Sequence, residues 1–449
     1  MSIQEQVTVS LAARRAHLKP YQLAEYKAAR NWLSRYRPVD GSNLAQVTGY
    51  LEAFYHLCRV EDWENAVAIA FMREPTIDDR ELHERLFVWG HYPQQRQLYD
   101  ALLHNVDGAV DWVCLKGLGD VEDVRGNFDR AIEHHQQALA LGQIAESSET
   151  VGAALGSLGN AYLSKGQPER AIEYYQRQLA LAEAAGRQHS IGIALGGLGN
   201  AYREIENYQQ AAEAAQRRIK VAQAIGDRQG EGDGYCNLGS TYTLLGQSTE
   251  AVTVLRQAVK IAQSVEHRLG ECRAYGNLGI AYRALSDNGQ AIQCFEWALI
   301  LATTLEDTEG QRLAVLQLGE LYQRRGDLPQ AIRHQRRALA LVSDPLKVAT
   351  LLLNLGSSSR TLGNLAAAVE FYRDLVTTAG LLDESSDEKR LLQTMGLYCL
   401  ALVYRQQGET MNAWQSCRAA LELSDESVAP LIDQCLDLQK ILAAELQTK

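Results

Sequence analysis

The sequence predicts an all-α fold, a solenoid of stacked antiparallel helix pairs. Six glycines recur at intervals of 40 residues: Gly119, Gly159, Gly199, Gly239, Gly279 and Gly319. In most copies a second glycine follows the first by seven residues, and an alanine follows it by twelve. A repeat of this length holds one helix pair, and each pair completes its apolar core only when the next pair stacks on it.

The first helix of each copy contains Leu-Gly followed in most copies by tyrosine, as in LGNAY at 158–162. A glycine inside a helix costs about 0.5–1 kcal/mol relative to alanine. Because every clear copy carries this cost, we expect the anchor glycine to permit close approach of the second helix. The recurring alanines of the second helix predict the matching small surface.

The residue seven after the anchor is expected to end the first helix in the left-handed conformation. Gly126, Gly166 and Gly246 suit this position, whereas the third and fifth copies carry Glu206 and Ser286. Between copies, Gly226-Asp227 and Ser343-Asp344-Pro345 are stop signals.

Three regions are predicted: residues 1–110 as an N-terminal helical region, 111–424 as an array of about eight repeats, and 425–449 as a capping helix. The first region contains one or two degenerate copies, at 43–74 and 80–104. Residues 381–390, LLDESSDEKR, predict an exposed acidic loop.

Composition excludes several classes. The formal net charge of -11 makes the chain a poor general binder of nucleic acid or anionic membrane. No apolar run approaches the ~20 residues that span a bilayer, and the N-terminus lacks a secretory signal, so we expect a cytoplasmic protein. The eight cysteines form no Cys-x-x-Cys pair and are expected to be reduced thiols packed in helices.

Catalytic and metal motifs are weak. The glycine strings at 196–199 and 230–234 lack the preceding strand of a phosphate loop. His134 and His135 are adjacent on a helix and point in different directions, and His83-Glu84 lacks the second histidine of a zinc protease helix. The sequence therefore predicts no enzyme, cofactor or metal site.

The combination of Leu, Gly and Tyr on one helix with two alanines on the next resembles the tetratricopeptide repeat, over residues 112–424. The unit is longer than the common 34 residues and is similar to kinesin light chains, spindle-orientation adaptors and bacterial repeat adaptors. This resemblance implies a right-handed superhelix that captures a peptide or protein segment.

By the same resemblance, the first helices line a concave groove. Nine residues at groove positions are the candidate contacts with a partner: Asn160, Asn200, Arg203, Asn237, Asn277, Arg283, Gln323, Arg324 and Arg360. The asparagines could hold a peptide backbone, and the arginines could select acidic side chains. From Arg273 to Arg405 the groove positions carry five arginines against Glu320 alone, which favours an acidic partner; a merely solvated charged face is the other interpretation.

The function predicted is a non-catalytic adaptor or scaffold that binds an acidic or extended segment of another protein, without nucleic acid or membrane insertion. The alternative is a bacterial regulator whose superhelix responds to a bound peptide or small ligand. An enzyme within residues 1–110 ranks last.

Overall fold

The computed structural model describes residues 2–74, 78–383, 386–423 and 429–447. The chain divides into two compact units, residues 1–225 and 226–449, which we call unit 1 and unit 2. Within the described residues both units are almost entirely helical, and one short hairpin of two strands lies in unit 1.

Unit 1 begins with shorter helices and continues with regular pairs. Its elements are α1 (Ile3–Arg14), a 3-10 turn (Arg15–His17), α2 (Pro20–Arg35), α3 (Asn43–Cys58), α4 (Trp63–Ala70), β1 (Arg73–Glu74), β2 (Asp78–Glu81), α5 (Leu82–Val88), α6 (Tyr92–Leu102), α7 (Gly108–Val124), α8 (Phe128–Ile144), α9 (Ser148–Ser164), α10 (Pro168–Ala184), α11 (Gln188–Glu204) and α12 (Tyr208–Ile225).

Unit 2 consists of helix pairs and a last single helix. Its elements are α13 (Arg228–Leu244), α14 (Ser248–Ser264), α15 (Arg268–Ala284), α16 (Asn288–Thr304), α17 (Thr308–Arg325), α18 (Leu328–Leu339), α19 (Pro345–Thr361), α20 (Leu365–Ala379), α21 (Asp387–Gln406), α22 (Thr410–Leu423) and α23 (Ala429–Gln447).

Regular pairs explain the repeat length. Helices α9 and α10 have 17 residues each, and connections at 165–167 and 185–187 complete the 40-residue interval. We call the odd-numbered helices from α7 to α21 the A helices and the even-numbered helices from α8 to α22 the B helices. Within each unit A helices of neighbouring repeats contact one another, for example α7 with α9 and α13 with α15, whereas B helices approach one another less closely.

The anchor glycines lie where the A and B helices of one repeat touch. A Cβ atom on Gly159 would lie 2.5 Å from the ring of Tyr175, and one on Gly239 would lie 2.3 Å from Leu255. The expected close approach is therefore confirmed. The group that fills the space is, however, the side chain sixteen residues after the anchor rather than the alanines alone, which are buried beside it.

Every A helix that ends at a glycine does so in the left-handed conformation, as predicted; Gly166, for example, has φ 76°. Glu206 and Ser286 adopt the same conformation, with φ 59° and 61°. The backbone N–H of the next residue donates to the carbonyl of the repeat tyrosine in each case, at 2.8 Å for Asn207 to Tyr202. The backbone geometry is thus kept even where glycine is missing.

Glycine should therefore stabilise the two exceptional turns. We expect Glu206→Gly and Ser286→Gly each to raise the free energy of unfolding by about 1 kcal/mol, because a side chain in the left-handed region costs roughly that amount. Urea unfolding with hydrogen exchange at the adjoining helices checks this. Glu206→Ala is the control, since it removes the charge and keeps the strain; an equal gain from alanine would contradict the explanation.

Other expectations concern single segments. The predicted degenerate copies at 43–74 and 80–104 contain the helix pairs α3–α4 and α5–α6, and Phe54 and Ala66 are buried. Asp227 and Asp344 cap their helices through hydrogen bonds from backbone N–H groups. The acidic loop is shorter than predicted, because α21 begins at Asp387 and Ser386 caps it; residues 384–385 lie outside the described residues. None of the eight cysteines forms a disulfide, and all lie within helices.

Candidate binding face

The exposed and half-buried side chains of the A helices form one face in each unit, which we call the A face. In unit 1 it carries Asn160, Asn200 and Arg203. The side-chain oxygen of Asn160, an exposed residue of α9, accepts the hydroxyl proton of Tyr175 at 2.6 Å. That of Asn200 accepts from the Arg203 guanidinium at 2.8 Å, so each asparagine oxygen has an internal partner. In this part of the face, the amide N–H groups of Asn160 can donate hydrogen bonds to a peptide.

In unit 2 the amide residues of the A face also hold helices together. The side-chain N–H of Asn277 donates to the sulfur of Cys236 at 3.2 Å, which ties α15 to α13. The oxygen of Gln323 accepts from Gln335 at 2.8 Å, which ties α17 to α18. Asn237 is half-buried on α13.

The arginines of unit 2 are arranged around shared carboxylates. Glu320 on α17 accepts from Arg324 one turn away at 2.6 Å and from Arg283 on α15 at 3.3 Å. Two guanidinium groups thus share one carboxylate, and the side chains of all three residues are about one-third to three-fifths exposed. The cluster keeps a net positive charge on the A face.

A cavity of about 490 Å³ lies at the end of this face, between α19 and α21. Arg360 and Arg405 line it, and so does Glu445 from α23. The guanidinium of Arg405 donates to the Glu445 carboxylate, with Nη2 at 2.8 Å and Nε at 2.9 Å. Arg360 has no carboxylate partner among the described residues, and its Nε is buried there without an acceptor.

Glu445 was missed in the sequence, although its spacing is a usable signal. It stands 40 residues after Arg405, so α23 occupies the position of the next A helix and presents Glu445 where an A helix would present its groove residue. Helix α23 thus contributes a side chain to the face.

Pairing lowers the positive charge that the sequence suggests. Arg273 contacts Asp233 at 2.9 Å, Arg405 contacts Glu445, and Arg283 and Arg324 share Glu320. Five arginines therefore face three carboxylates on this part of unit 2. The face is still basic, with Arg360 and the Glu320 cluster as its uncompensated positions.

The described part of the chain contains neither a metal-binding cluster nor a membrane-spanning helix. No group of three or more His, Cys, Asp or Glu side chains could hold a metal ion there. None of the helices described is both long and apolar enough to cross a membrane.

Comparison with known families identifies the repeats. A tetratricopeptide-repeat model matches residues 150–224, 232–303 and 311–379, and a second tetratricopeptide-repeat model matches residues 277–344. No curated protein matches the chain.

Solved structures with a related helix arrangement are distant in sequence. A Rap protein complexed with competence and sporulation factor is 17% identical, covers 75% of this chain and 98% of its own, with a TM-score of 0.46. Aspartyl phosphate phosphatase F from Bacillus subtilis is 12% identical, and the match covers 77% of this chain and 96% of the phosphatase chain, with a TM-score of 0.48. BtubC from P. vanneervenii is 18% identical, and the match covers 50% of this chain and 93% of the BtubC chain, with a TM-score of 0.42. Similarity at this level does not imply a shared ligand or partner.

Proposed function

Because this chain is built on tetratricopeptide repeats, we propose that it is a non-catalytic adaptor that binds an acidic segment of another protein on the A face of unit 2. Stacked helix pairs provide an extended surface of regularly spaced side chains, which suits an extended or helical segment. The acidic character of the proposed segment rests on charge, because guanidinium groups bind carboxylates with two directed hydrogen bonds.

The single observation that carries the proposal is the Glu445 carboxylate on Arg405, beside Arg360. The chain's own acidic side chain occupies the face at this point and leaves the neighbouring guanidinium without a carboxylate. A partner carboxylate could pair with Arg360 in the same open cavity. The buried Nε of Arg360 supports this, since a buried donor without an acceptor is unfavourable until a ligand supplies one.

The test uses a fluorescein-labelled peptide of alternating Glu and Ser, with its Lys-Ser counterpart as the second probe. We expect Arg283→Glu with Arg324→Glu to weaken binding of the Glu-Ser peptide about tenfold, because two attractive pairs become repulsive. Glu320→Gln should strengthen binding, since it releases both guanidinium groups. Fluorescence anisotropy at low salt measures both effects, and circular dichroism checks that helix content is unchanged.

The matched control is Lys260→Glu with Arg418→Glu, which makes the same change in net charge on two exposed B-helix positions of unit 2. Equal loss of binding in both double variants would show that only the total charge matters. Undiminished binding in the Arg283 and Arg324 variant would reject the A face as the docking surface.

A further inference from the structure

A cavity that carries buried polar groups lies in unit 1. It measures about 580 Å³, a size typical of small-ligand pockets, and lies between β2, α5, α6 and α7. Phe71, Phe87, Tyr99 and Trp112 provide aromatic surface on its walls.

Buried side chains with a fixed hydrogen-bond direction lie along one wall of this cavity. Nε2 of His83 is 2.9 Å from Glu81, and Nδ1 is 2.8 Å from the Tyr99 hydroxyl. The Tyr99 oxygen accepts from the Gln95 amide at 3.1 Å. Burial lowers the pKa of His83, so the ring is neutral near pH 7. The neutral ring donates from Nε2 to Glu81 and accepts the Tyr99 hydroxyl proton at Nδ1. The ring N–H and the hydroxyl of this network are therefore both used.

Gln95 is left with an unused acceptor. Its amide nitrogen donates to Tyr99 and to the His83 carbonyl, whereas its Oε1 is buried and has no donor among the described residues. The residue is only 2% exposed and lines the cavity. A buried acceptor without a donor is unfavourable, and a ligand with an N–H group could supply the missing hydrogen bond.

The charged side chains of the cavity wall also favour a ligand with N–H groups. Asp120 is paired with Lys116 at 2.7 Å, and Glu81 is engaged by His83 and by Arg73. Glu84 is exposed on α5 and, within the described residues, accepts only the backbone N–H of Glu81. Among the described residues, the cavity thus has a carboxylate without a cationic partner beside its aromatic walls; Arg80, exposed on β2, also lines it.

We propose that this cavity binds an organic cation with N–H donors, an alkylammonium or guanidinium group. The aromatic walls attract the cation through their ring faces, Glu84 supplies the opposite charge, and the Gln95 oxygen accepts an N–H. Such a group could come from a free amine or from a Lys or Arg side chain of a bound segment.

The experiment uses the full chain labelled with ¹⁵N and follows the indole N–H signal of Trp112, which is assigned from its absence in Trp112→Phe. The probes are butylammonium, 1-pentanol, pentanoate and a peptide in which a single lysine is flanked by uncharged residues. We expect the two cations to shift the Trp112 signal in a saturable manner and the neutral and anionic probes to leave it in place. If the peptide binds more tightly than butylammonium, the cation belongs to a protein segment. If butylammonium binds more tightly, the cation belongs to a free metabolite.

Glu84→Gln keeps the side-chain shape and its bond to the Glu81 N–H, and should weaken cation binding about three- to fivefold. The matched control Glu133→Gln, on the exposed side of α8, should leave binding unchanged. A shift by pentanol equal to that by butylammonium, a response to pentanoate alone, or no response to any probe would overturn the proposal. So would full cation binding in the Glu84→Gln variant. None of these outcomes bears on the acidic peptide of unit 2.

Discussion

Replacing Gly159 or Gly197 by alanine is expected to destabilise unit 1 by about 1–3 kcal/mol, because the added methyl group has no space. The ring of Tyr175 lies between these two glycines: a Cβ atom would lie 2.5 Å from it at Gly159 and 2.4 Å at Gly197. Tyr175 is 3% exposed, and its hydroxyl is bonded to Asn160, so the ring cannot move without loss. Thermal and urea unfolding of the full chain measure the effect.

The matched variant is Gly199→Ala, two residues after Gly197 on the same helix. Its repeat carries Ala215 where the others carry a larger side chain, and the nearest atom to a new Cβ is 3.7 Å away. This alanine should stabilise the protein by about 1 kcal/mol through helix propensity alone. A loss of stability in Gly199→Ala equal to that in Gly159→Ala would mean that close approach of the helices is not what the anchors provide.

Acidification is expected to destabilise unit 1 through His135. This ring is 1% exposed against Gly119, and burial lowers its pKa from 6.5 to about 4. Asp120 and Lys116 on α7 and the neighbouring His134 are the charged or titratable groups that act on it. Between pH 6.5 and 4 the unfolded chain binds a proton at this site and the folded chain does not. Stability therefore falls as the pH falls through this range, by about 3 kcal/mol in all, and is unaffected above it.

The control for this effect exists within the chain. In the sixth repeat Gln335 packs against Gly319 at the position that His135 holds against Gly119, so His135→Gln should fit. Unfolding curves at a series of pH values should show the wild type losing about 3 kcal/mol more than His135→Gln between pH 6.5 and 4. Parallel curves for the two proteins would show that His135 titrates normally.

Much of the fold follows from local sequence. The 40-residue interval fixes two helices of 17 residues and two short connections, and glycine at the turn fixes the left-handed residue between them. The short hairpin of β1 and β2 was not predicted, because β1 and β2 are too short to show a strand period. The turns at Glu206 and Ser286 form without glycine, since the stacked helices on either side impose the conformation.

The candidate site divides in the same way. The resemblance to the repeat family, applied through the repeat register, predicted that Arg283, Arg324 and Arg360 lie on the groove-lining helices, and it predicted that this face is rich in arginine. The Arg324–Glu320 pair lies within α17, at a spacing visible in the sequence, but only the tertiary structure decided the Arg283–Glu320 and Arg405–Glu445 pairs, because these salt bridges join different helices. Glu320 serves two arginines, α23 brings Glu445 to Arg405, and Arg360 is left with a buried Nε and no acceptor among the described residues.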